Sequence, residues 1–276
     1  MNYRHAYHAG NFADVLKHAV LVWIVRYLQQ KVAPLALIDS HAGAGLYDLT
    51  SAPAQKTLEA QEGILRLTDR ADLPQALKPY LDLVRAANGS AAITKYPGSA
   101  SLMTAMARNT DRVVACELHP ADAAALRETI GETSKRRIIA GDGYRTLLSL
   151  VPPPEKRGLV LIDPPFEQNE EFEHLARNFI AAHRKFPSGA YLLWFPIKDT
   201  GEVLRLKAEL ANAAIKRLTL MTLDVARGEG LGACGLIVCN APFTLEHEWR
   251  PALEWLTPTL AQGTGSAFQI DNLSSE

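Results

Sequence analysis

The stretch GLVLIDPPF at residues 158–166 predicts the fold of the whole chain. A short apolar run that ends abruptly at breakers is typical of a buried strand in a parallel sheet. Because proline has no backbone N–H with which to continue the ladder, the strand is expected to end at Asp163. The carboxylate of Asp163 then stands at the carboxyl edge of the sheet, where open α/β folds bind their ligands. For these residues alone, the alternative is an ordinary strand end followed by a proline turn.

Apolar runs and helix-like patterns alternate on both sides of this stretch. We predict strands at 35–39, 111–117, 136–140, 158–163 and 188–195, and helices at 12–31, 100–108, 120–131, 143–150, 170–185, 200–213 and 246–261. Two β-rich runs, 215–225 and 233–240, flank the glycine-rich RGEGLG at 227–232, which predicts a hairpin, and a short strand follows at 267–270. The pattern specifies an α/β fold with a doubly wound, mostly parallel sheet and a terminal antiparallel hairpin.

Residues 47–96 differ in character from the rest of the chain. They contain two amphipathic stretches, 55–70 and 74–87, and no strand pattern before Ile93. We predict a small helical insertion subdomain at 47–96, so that the main domain comprises residues 1–46 and 97–276. Residues 1–10, which end at Gly10, are expected to form an extended arm, and Ser99 is expected to be the N-cap of the helix 100–108.

The composition indicates a soluble globular protein. With 276 residues, 47% of them hydrophobic and 21% charged, the chain can form one large α/β domain with an insertion. The longest apolar run, 19–25, is too short to span a membrane, and the N-terminus has no secretory apolar segment. Three cysteines without CxxC spacing (Cys116, Cys234 and Cys239) fit reduced core positions. We therefore expect a cytoplasmic protein without a membrane partner, acting as a monomer.

Charge gives a weaker indication of the partner. The formal net charge of −1 argues against a generic polyanion-binding domain, which is normally basic. Residues 1–31 nevertheless contain more basic than acidic side chains. Both a local basic face and an ordinary solvated helix surface remain open.

Polar or glycine-rich turns follow four of the predicted strands. DSHAGAG at 39–45 lets a ligand approach the backbone closely, although it is neither a dinucleotide GxGxxG nor a phosphate loop. Glu117 ends the next strand, where an acid in nucleoside-binding folds accepts the ribose hydroxyls, and Asp142 follows the third. A solvated glutamate and a plain Gly-Asp-Gly turn are the alternatives. Because parallel strands end at one edge, these turns and Asp163 are expected to line a single crevice.

This arrangement resembles the Rossmann-like (class I) S-adenosylmethionine (SAM)-dependent methyltransferases, with DPPF at 163–166 in the position of their adenine amino-methylating motif. In such a site the Asp163 carboxylate and the Pro164 carbonyl accept the two amino hydrogens and favour a pyramidal, nucleophilic nitrogen. Phe166 stacks on a target base that has left its helix. Methyl transfer is a direct displacement, so we expect no metal.

The string YRHAYHAGNFADVLKH at 3–18 makes the resemblance closer. It is similar to the signature of the bacterial 23S ribosomal RNA large-subunit adenine-N6 methyltransferase J family, as are DSHAGAG, YPGS at 96–99, ELHP at 117–120, and the Asp142 turn. The similarity covers essentially the whole chain. It implies transfer of a methyl group from SAM to the exocyclic N6 of one adenine in 23S ribosomal RNA, position 2030 in the usual numbering.

The resemblance also implies roles for individual residues. Asp163 would be the catalytic acceptor, and SAM would be held by His18, His41, Ser99, Glu117, Asp142, Gly143 and Asp163. The RNA substrate would meet Tyr3, on an arm that closes over the cofactor, together with His5, Pro164 and Phe166. One departure is Phe166, where tyrosine is frequent; stacking is kept and a phenol hydroxyl contact is lost.

Several other interpretations compete with this one. The four histidines at 5, 8, 18 and 41 offer enough ligands for a zinc hydrolase with Asp39 or Asp163 as base, although no HExxH or cysteine-rich spacing is present. DNA adenine methylation and protein glutamine methylation, which favours an asparagine at position 163, remain alternatives, as does a non-enzymatic RNA-binding module. NAPF at 240–243 superficially repeats DPPF, but it lies in the terminal hairpin and is interpreted as a strand end.

Overall fold

The computed structural model describes residues 5–89, 92–168 and 170–273, which form one large sheet with helices on both of its faces. The helices are α1 Phe12–Leu28, α2 Ala52–Thr57, α3 Lys78–Ala86, α4 Ser99–Met106, α5 Pro120–Ile130, α6 Gly143–Leu150, α7 Glu171–Lys185, α8 Thr200–Asn212 and α9 Leu245–Leu260. The strands are β1 Ala36–Asp39, β2 Leu46–Asp48, β3 Lys95–Pro97, β4 Arg112–Glu117, β5 Arg136–Ala140, β6 Gly158–Ile162, β7 Ala190–Pro196, β8 Leu218–Asp224, β9 Ala233–Cys239 and β10 Ala267–Asn272.

The main sheet has eight strands in the order β10-β8-β9-β7-β6-β1-β4-β5. The run β7-β6-β1-β4-β5 is parallel, whereas β9 is antiparallel to both of its neighbours. This confirms the predicted doubly wound, Rossmann-like sheet with a terminal antiparallel hairpin. The chain proceeds from β1 to β4 and β5 on one side and later returns to β6 on the other. The order therefore reverses beside β1, and a crevice is expected at its carboxyl end.

Helix α1 is buried on nearly all sides. It packs against β6 and β9 and is covered by α3 and α4. Its apolar side chains belong to the larger core, on the sheet face that also carries α9, while α6, α7 and α8 pack on the opposite face. Charged side chains near the start of α1 are therefore held inside the molecule. Within the part of the chain that the structure describes, no helix is long and apolar enough to cross a membrane.

Short elements fill the segment between β2 and β3, which pair as a small antiparallel ladder. The amphipathic stretch 55–70 does not form one helix, because α2 ends at Thr57, before Leu58, whose φ of 57° lies in the left-handed region. Only a 3-10 turn, Ile64–Arg66, follows. Tight packing on the N-terminal segment explains this, since a methyl group at Gly63 would lie 2.1 Å from the carbonyl oxygen of Gly10. The second predicted helix is present as α3.

Two local predictions near the site are corrected by the structure. Residues 5–10 are not extended, because His5–Tyr7 form a 3-10 turn and the imidazoles of His5 and His8 bond to Asp14 and Glu59. Ser99 is not a helix N-cap: Gly98 occupies that position, and Ser99 is the first helical residue. The Ser99 hydroxyl donates instead to the carboxylate of Asp39. Asp39 is buried, so leaving its carboxylate without a hydrogen-bond donor would cost more free energy than leaving the helix without a side-chain cap.

Candidate active site

A crevice of about 1260 Å³ opens where β1, β4, β5 and β6 end. Its walls include every predicted site residue within the described ranges, namely His5, His18, His41, Ser99, Glu117, Asp142, Gly143, Asp163, Pro164 and Phe166. Tyr3 lies outside the described residues. The described members of the predicted set therefore line one cavity at the reversal point of the sheet.

A buried ion pair joins Asp163 to helix α1. The Lys17 ammonium donates to Asp163 Oδ2 at 2.5 Å and lies 2.9 Å from Asp14 Oδ1. Lys17 is 5% exposed, whereas Asp163 keeps 15% of its side chain accessible from the crevice. One carboxylate oxygen of Asp163 is thus fixed from behind, and the group as a whole still faces the cavity.

In the cluster of Asp14, Lys17 and Asp163, each charged group stabilises the charged form of its neighbour of opposite sign. Burial alone would lower the pKa of Lys17, but the carboxylates of Asp14 and Asp163 raise it above its ordinary value. Burial would raise the pKa of Asp14, but His5 and Lys17 hold it well below its usual range. The Asp14 carboxylate also accepts the Gly10 backbone N–H at 2.9 Å. Lys17 is therefore a permanently charged donor between two carboxylates.

The end of β1 is held by a second buried carboxyl group. Asp39 is fully buried, accepts from the Ser99 hydroxyl at 2.5 Å, and accepts from the His41 backbone N–H at 3.2 Å. Burial raises the pKa of Asp39 to about 7, against the effect of the Ser99 hydrogen bond. This group ties the turn after β1 to the start of α4, and both lie along the crevice.

The turns after β1 and β5 touch each other through backbone atoms. A methyl group at Gly143 would lie 1.8 Å from the Ser40 carbonyl oxygen, so only glycine fits at this position. Asp142 caps α6 by accepting from the Tyr144 and Arg145 backbone N–H groups at 2.9 and 3.1 Å. Close contact of the two turns narrows the crevice between them.

Glu117, at the end of β4, points toward the turn after β1. Its two carboxylate oxygens accept the backbone N–H groups of Gly43 at 2.8 Å and His119 at 2.7 Å. Burial raises its pKa above the usual value, although these two hydrogen bonds oppose the shift. Each oxygen keeps a second acceptor site, so the group can bind a ligand hydroxyl without moving.

An aromatic wall follows Asp163 on the other side. Phe166 has a φ of 49°, which turns the chain sharply after the two prolines. Its ring centroid lies 4.9 Å from that of Phe172 and 5.8 Å from that of Trp194, both edge-on. Pro164 is buried, and the Lys17 ammonium lies 5.6 Å from the Trp194 ring centroid. The wall fits a flat, apolar ligand beside the Asp163 carboxylate.

The histidines have separate partners. His18 Nδ1 lies 2.7 Å from the Tyr96 hydroxyl, and His41 Nδ1 lies 2.8 Å from the Ser40 hydroxyl. Burial lowers the pKa of His18 to about 3 and that of His41 to about 4, so both rings are neutral at physiological pH. Among the residues described, no group of three or more histidine, cysteine or acidic side chains could hold a metal ion.

The NAPF stretch lies at the opposite edge of the sheet. Asn240 directly follows β9, and its amide donates to the carbonyl oxygens of Pro187 and Gly189 at 2.8 Å, before β7 begins. The Phe243 side chain is 86% exposed. The interpretation of this stretch as a strand end agrees with its position.

Comparison with known families identifies the family to which this chain belongs. The family model described as "Ribosomal RNA large subunit methyltransferase D, RlmJ" matches residues 32–270. The chain belongs to the RlmJ family. The match runs from the turn before β1 to β10 and therefore includes the segment between β2 and β3.

Two relatives of the RlmJ family are similar over nearly the whole chain. Ribosomal RNA large subunit methyltransferase J from Escherichia coli (strain K12) is 36% identical over 271 residues, which cover 97% of each chain. The protein of the same name from Haemophilus influenzae is 35% identical and covers 96% of each chain.

Solved structures agree with the RlmJ family fold. Protein LPL1258 from Legionella pneumophila superposes with a TM-score of 0.89 at 33% identity, covering 96% of this chain and 98% of the other. A probable spermidine synthase from Corynebacterium glutamicum has a TM-score of 0.53 at 14% identity, covering 98% of this chain and 77% of the other. The second likeness concerns the fold alone.

In this RlmJ family member, sequence reasoning missed several crevice residues. The ion-pair partners Lys17 and Asp14 were not predicted to belong to the site. Neither were Trp194 and the hydrogen-bonded pair of Tyr144 and Glu171, whose oxygens lie 2.9 Å apart. A signal for the first pair was present, since Asp14 and Lys17 stand three residues apart in an otherwise apolar helix. Nothing in the sequence pattern indicated the other three.

Proposed function

We propose that this protein transfers a methyl group from SAM to the exocyclic N6 of a single adenine in 23S ribosomal RNA, position 2030 in the usual numbering. Its relatives are named as methyltransferases of the large-subunit ribosomal RNA. The observation that carries the proposal is the Asp163 carboxylate, fixed by Lys17 at the end of β6, next to Pro164 and an aromatic wall. Residues 1–46 and 97–276 form the catalytic domain in this proposal, with 47–96 as an insertion.

The side chains and backbone groups that line the crevice match the functional groups of SAM. SAM supplies a methyl group on a positively charged sulfonium, together with ribose hydroxyls and an adenine. Glu117 offers two oxygens with acceptor sites to spare, and the Gly143 backbone leaves room for a close approach. We assign cofactor binding, without a metal, to residues that all line the crevice: His18, His41, Ser99, Glu117, Asp142, Gly143 and Asp163.

The chain's own residues prepare the target nitrogen. An exocyclic amine is a poor nucleophile because its lone pair is delocalised into the ring. The Asp163 carboxylate and the Pro164 carbonyl accept its two hydrogens, which favours a pyramidal nitrogen aligned with the methyl group. Lys17 holds the carboxylate in place, and Phe166 stacks on the target base. Asp163 is the catalytic residue, and His5 and Tyr3 are assigned to the substrate side.

The acidity of the crevice supports entry of a base alone. Eight carboxylate side chains line it, against the two lysines Lys17 and Lys198; the acids are Asp14, Glu59, Glu117, Asp122, Asp142, Asp163, Glu167 and Glu171. Such a lining attracts a sulfonium and repels a phosphate backbone. The RNA strand therefore stays outside, and only a base flipped out of its helix enters.

The test is methyl transfer from labelled SAM to 23S RNA that lacks the modification, followed by mapping of N6-methyladenine. We expect one modified adenine with the unaltered protein and none with Asp163→Asn, while SAM binding stays measurable through the other cofactor residues. Asp82→Asn, at an exposed site on α3, serves as the matched control and should retain activity. Methylation of duplex DNA or of a glutamine side chain in place of RNA would overturn the proposal.

A further inference from the structure

A row of buried hydroxyl groups runs from helix α3 to the crevice. The Tyr80 hydroxyl lies 2.9 Å from the Tyr96 hydroxyl, which lies 2.7 Å from His18 Nδ1. All three side chains are buried. His18 lines the crevice, whereas Tyr80 belongs to the segment between β2 and β3.

The protons along this row have one satisfactory order. Each phenol has a single proton, and the Tyr80 hydroxyl has no other hydrogen-bond partner among the described residues. If Tyr80 donates to Tyr96 and Tyr96 donates to His18 Nδ1, every hydroxyl proton is bonded. The reverse order leaves the Tyr80 proton unbonded in the core, which is costly. The neutral His18 ring therefore carries its proton on Nε2, and the nearest carboxylate oxygen, Asp14 Oδ1, is 4.0 Å away.

The other crevice histidine, His41, carries its proton on the opposite ring nitrogen. The Ser40 hydroxyl lies 3.0 Å from the Leu161 carbonyl oxygen and 2.8 Å from His41 Nδ1. A carbonyl oxygen cannot donate, so the serine proton points to Leu161; otherwise two oxygen lone pairs would face each other. His41 must then supply a proton from Nδ1 to Ser40, which leaves a lone pair on Nε2.

We propose that Tyr96 and Ser40 are positioning residues that fix His18 and His41 as opposite tautomers, so that the crevice presents a donor at His18 and an acceptor at His41. The inference rests on the proposed function for the identity of the ligand. Ser99 opens helix α4 three residues after Tyr96, and the first amide groups of a helix lack intrahelical partners. His18 and the first amide groups of α4 together bind the carboxylate of the cofactor's amino-acid end. His41 lies toward Gly143 and Asp142, on the side that accepts hydroxyl and amino hydrogens.

The tautomers are measured directly by nitrogen-15 NMR of the histidine side chains in the ligand-free protein near neutral pH. We expect a protonated Nε2 at His18 and a protonated Nδ1 at His41. Identical tautomers, or the reverse assignment, would overturn the inference. This experiment does not depend on methyl transfer, so a failure of the proposed function leaves its outcome intact.

Binding of S-adenosylhomocysteine then tests the consequence. Tyr96→Phe removes the donor to His18 and should raise the Kd about tenfold, the effect expected for one buried hydrogen bond to a charged group. Tyr80→Phe keeps that donor and is the matched control, with a Kd within about twofold of the unaltered protein. The KM for SAM should rise in Tyr96→Phe while kcat at saturating SAM stays unchanged, because Tyr96 does not touch the reacting atoms.

The same titration with decarboxylated S-adenosylhomocysteine identifies the recognised group. Tyr96→Phe and the unaltered protein should bind this analogue equally, because it has no carboxylate for His18 to meet. Equal losses for both ligands would contradict the assignment of the carboxylate, as would an unchanged Kd in Tyr96→Phe. Ser40→Ala should free the His41 tautomer and leave the NMR signals of His18 unchanged.

Discussion

The Lys17 ammonium and the Asp163 carboxylate are in contact at 2.5 Å, although 146 positions separate them in the chain. The contact joins the first helix to the end of a central strand. Because Lys17 is buried and also meets Asp14, it cannot leave Asp163 without removing the cation from both carboxylates, one of which is buried. The orientation of Asp163 is therefore a property of the packed core as well as of the DPPF turn.

Replacing Lys17 should cost both stability and activity. Lys17→Met keeps most of the side-chain length but leaves Asp14 and Asp163 without their cation, and we expect the free energy of unfolding to fall by about 3 kcal/mol. Urea denaturation measures this. Lys31→Met, at an exposed position just after α1, is the control and should change stability by less than about 0.5 kcal/mol. Equal stabilities of the two variants would show that the ion pair is not structurally important.

The backbone contact between the turns after β1 and β5 predicts a contrast between neighbouring glycines. Gly143→Ala must push the Ser40 carbonyl away and should destabilise the protein by about 2–3 kcal/mol and weaken SAM binding. Gly141→Ala is the matched control, because its nearest neighbour, the Thr146 hydroxyl, would lie 3.8 Å from the added methyl group. Thermal unfolding and calorimetric titration with SAM compare the two. Similar behaviour of both variants would contradict the close contact.

Asp39 predicts a pH dependence of stability. Its folded pKa of about 7, raised by burial, exceeds that of an unfolded aspartate, so the folded state binds the proton more tightly. The stabilisation of the folded state that comes from this tighter proton binding is fully present below the unfolded pKa of about 3.9, and it is lost as pH rises through 7. Relative to Asp39→Asn, the unaltered protein should lose about 3 kcal/mol of unfolding free energy between pH 4.5 and 7.5. A constant difference between the two proteins over this range would rule out the raised pKa.

The two proline–phenylalanine turns should respond differently to alanine. Phe166→Ala removes the aromatic wall beside Asp163 and should lower kcat/KM for RNA about tenfold or more, since stacking of a base on an aromatic ring contributes about 1–3 kcal/mol. Phe243→Ala removes an exposed ring at the other edge of the sheet and should leave kcat/KM unchanged. Comparable losses in the two variants would place the base somewhere other than beside Phe166.

The order and type of the main elements could be predicted from the sequence because apolar periodicity is a local signal. The strands around Asp163 and the terminal hairpin agree with the prediction to within a few residues. The segment 47–96 could not be predicted equally well. Helix α2 ends before Leu58, which is left-handed, and Gly63 packs closely against the backbone of Gly10. A contact of this kind leaves no periodic mark in the sequence.

For the candidate site, the strand ends predicted which carboxylates would meet, but not what would hold them. Ser99 was expected to cap a helix, whereas its hydroxyl bonds to Asp39, 60 positions earlier. The partnership of Lys17 with Asp163 likewise depends on packing of α1 across the sheet. Such contacts join residues that are distant in the chain, so only the folded structure reveals them.

The position of β1 in the middle of the sheet has a consequence for synthesis on the ribosome. Its second neighbour in the sheet, β6, begins at residue 158, so about 120 residues must be made after β1 before both of its edges are paired. During that interval an apolar strand edge is open to other chains, and the Asp163 side of the crevice does not yet exist. The nascent chain can therefore acquire its complete site only when more than half of it has emerged.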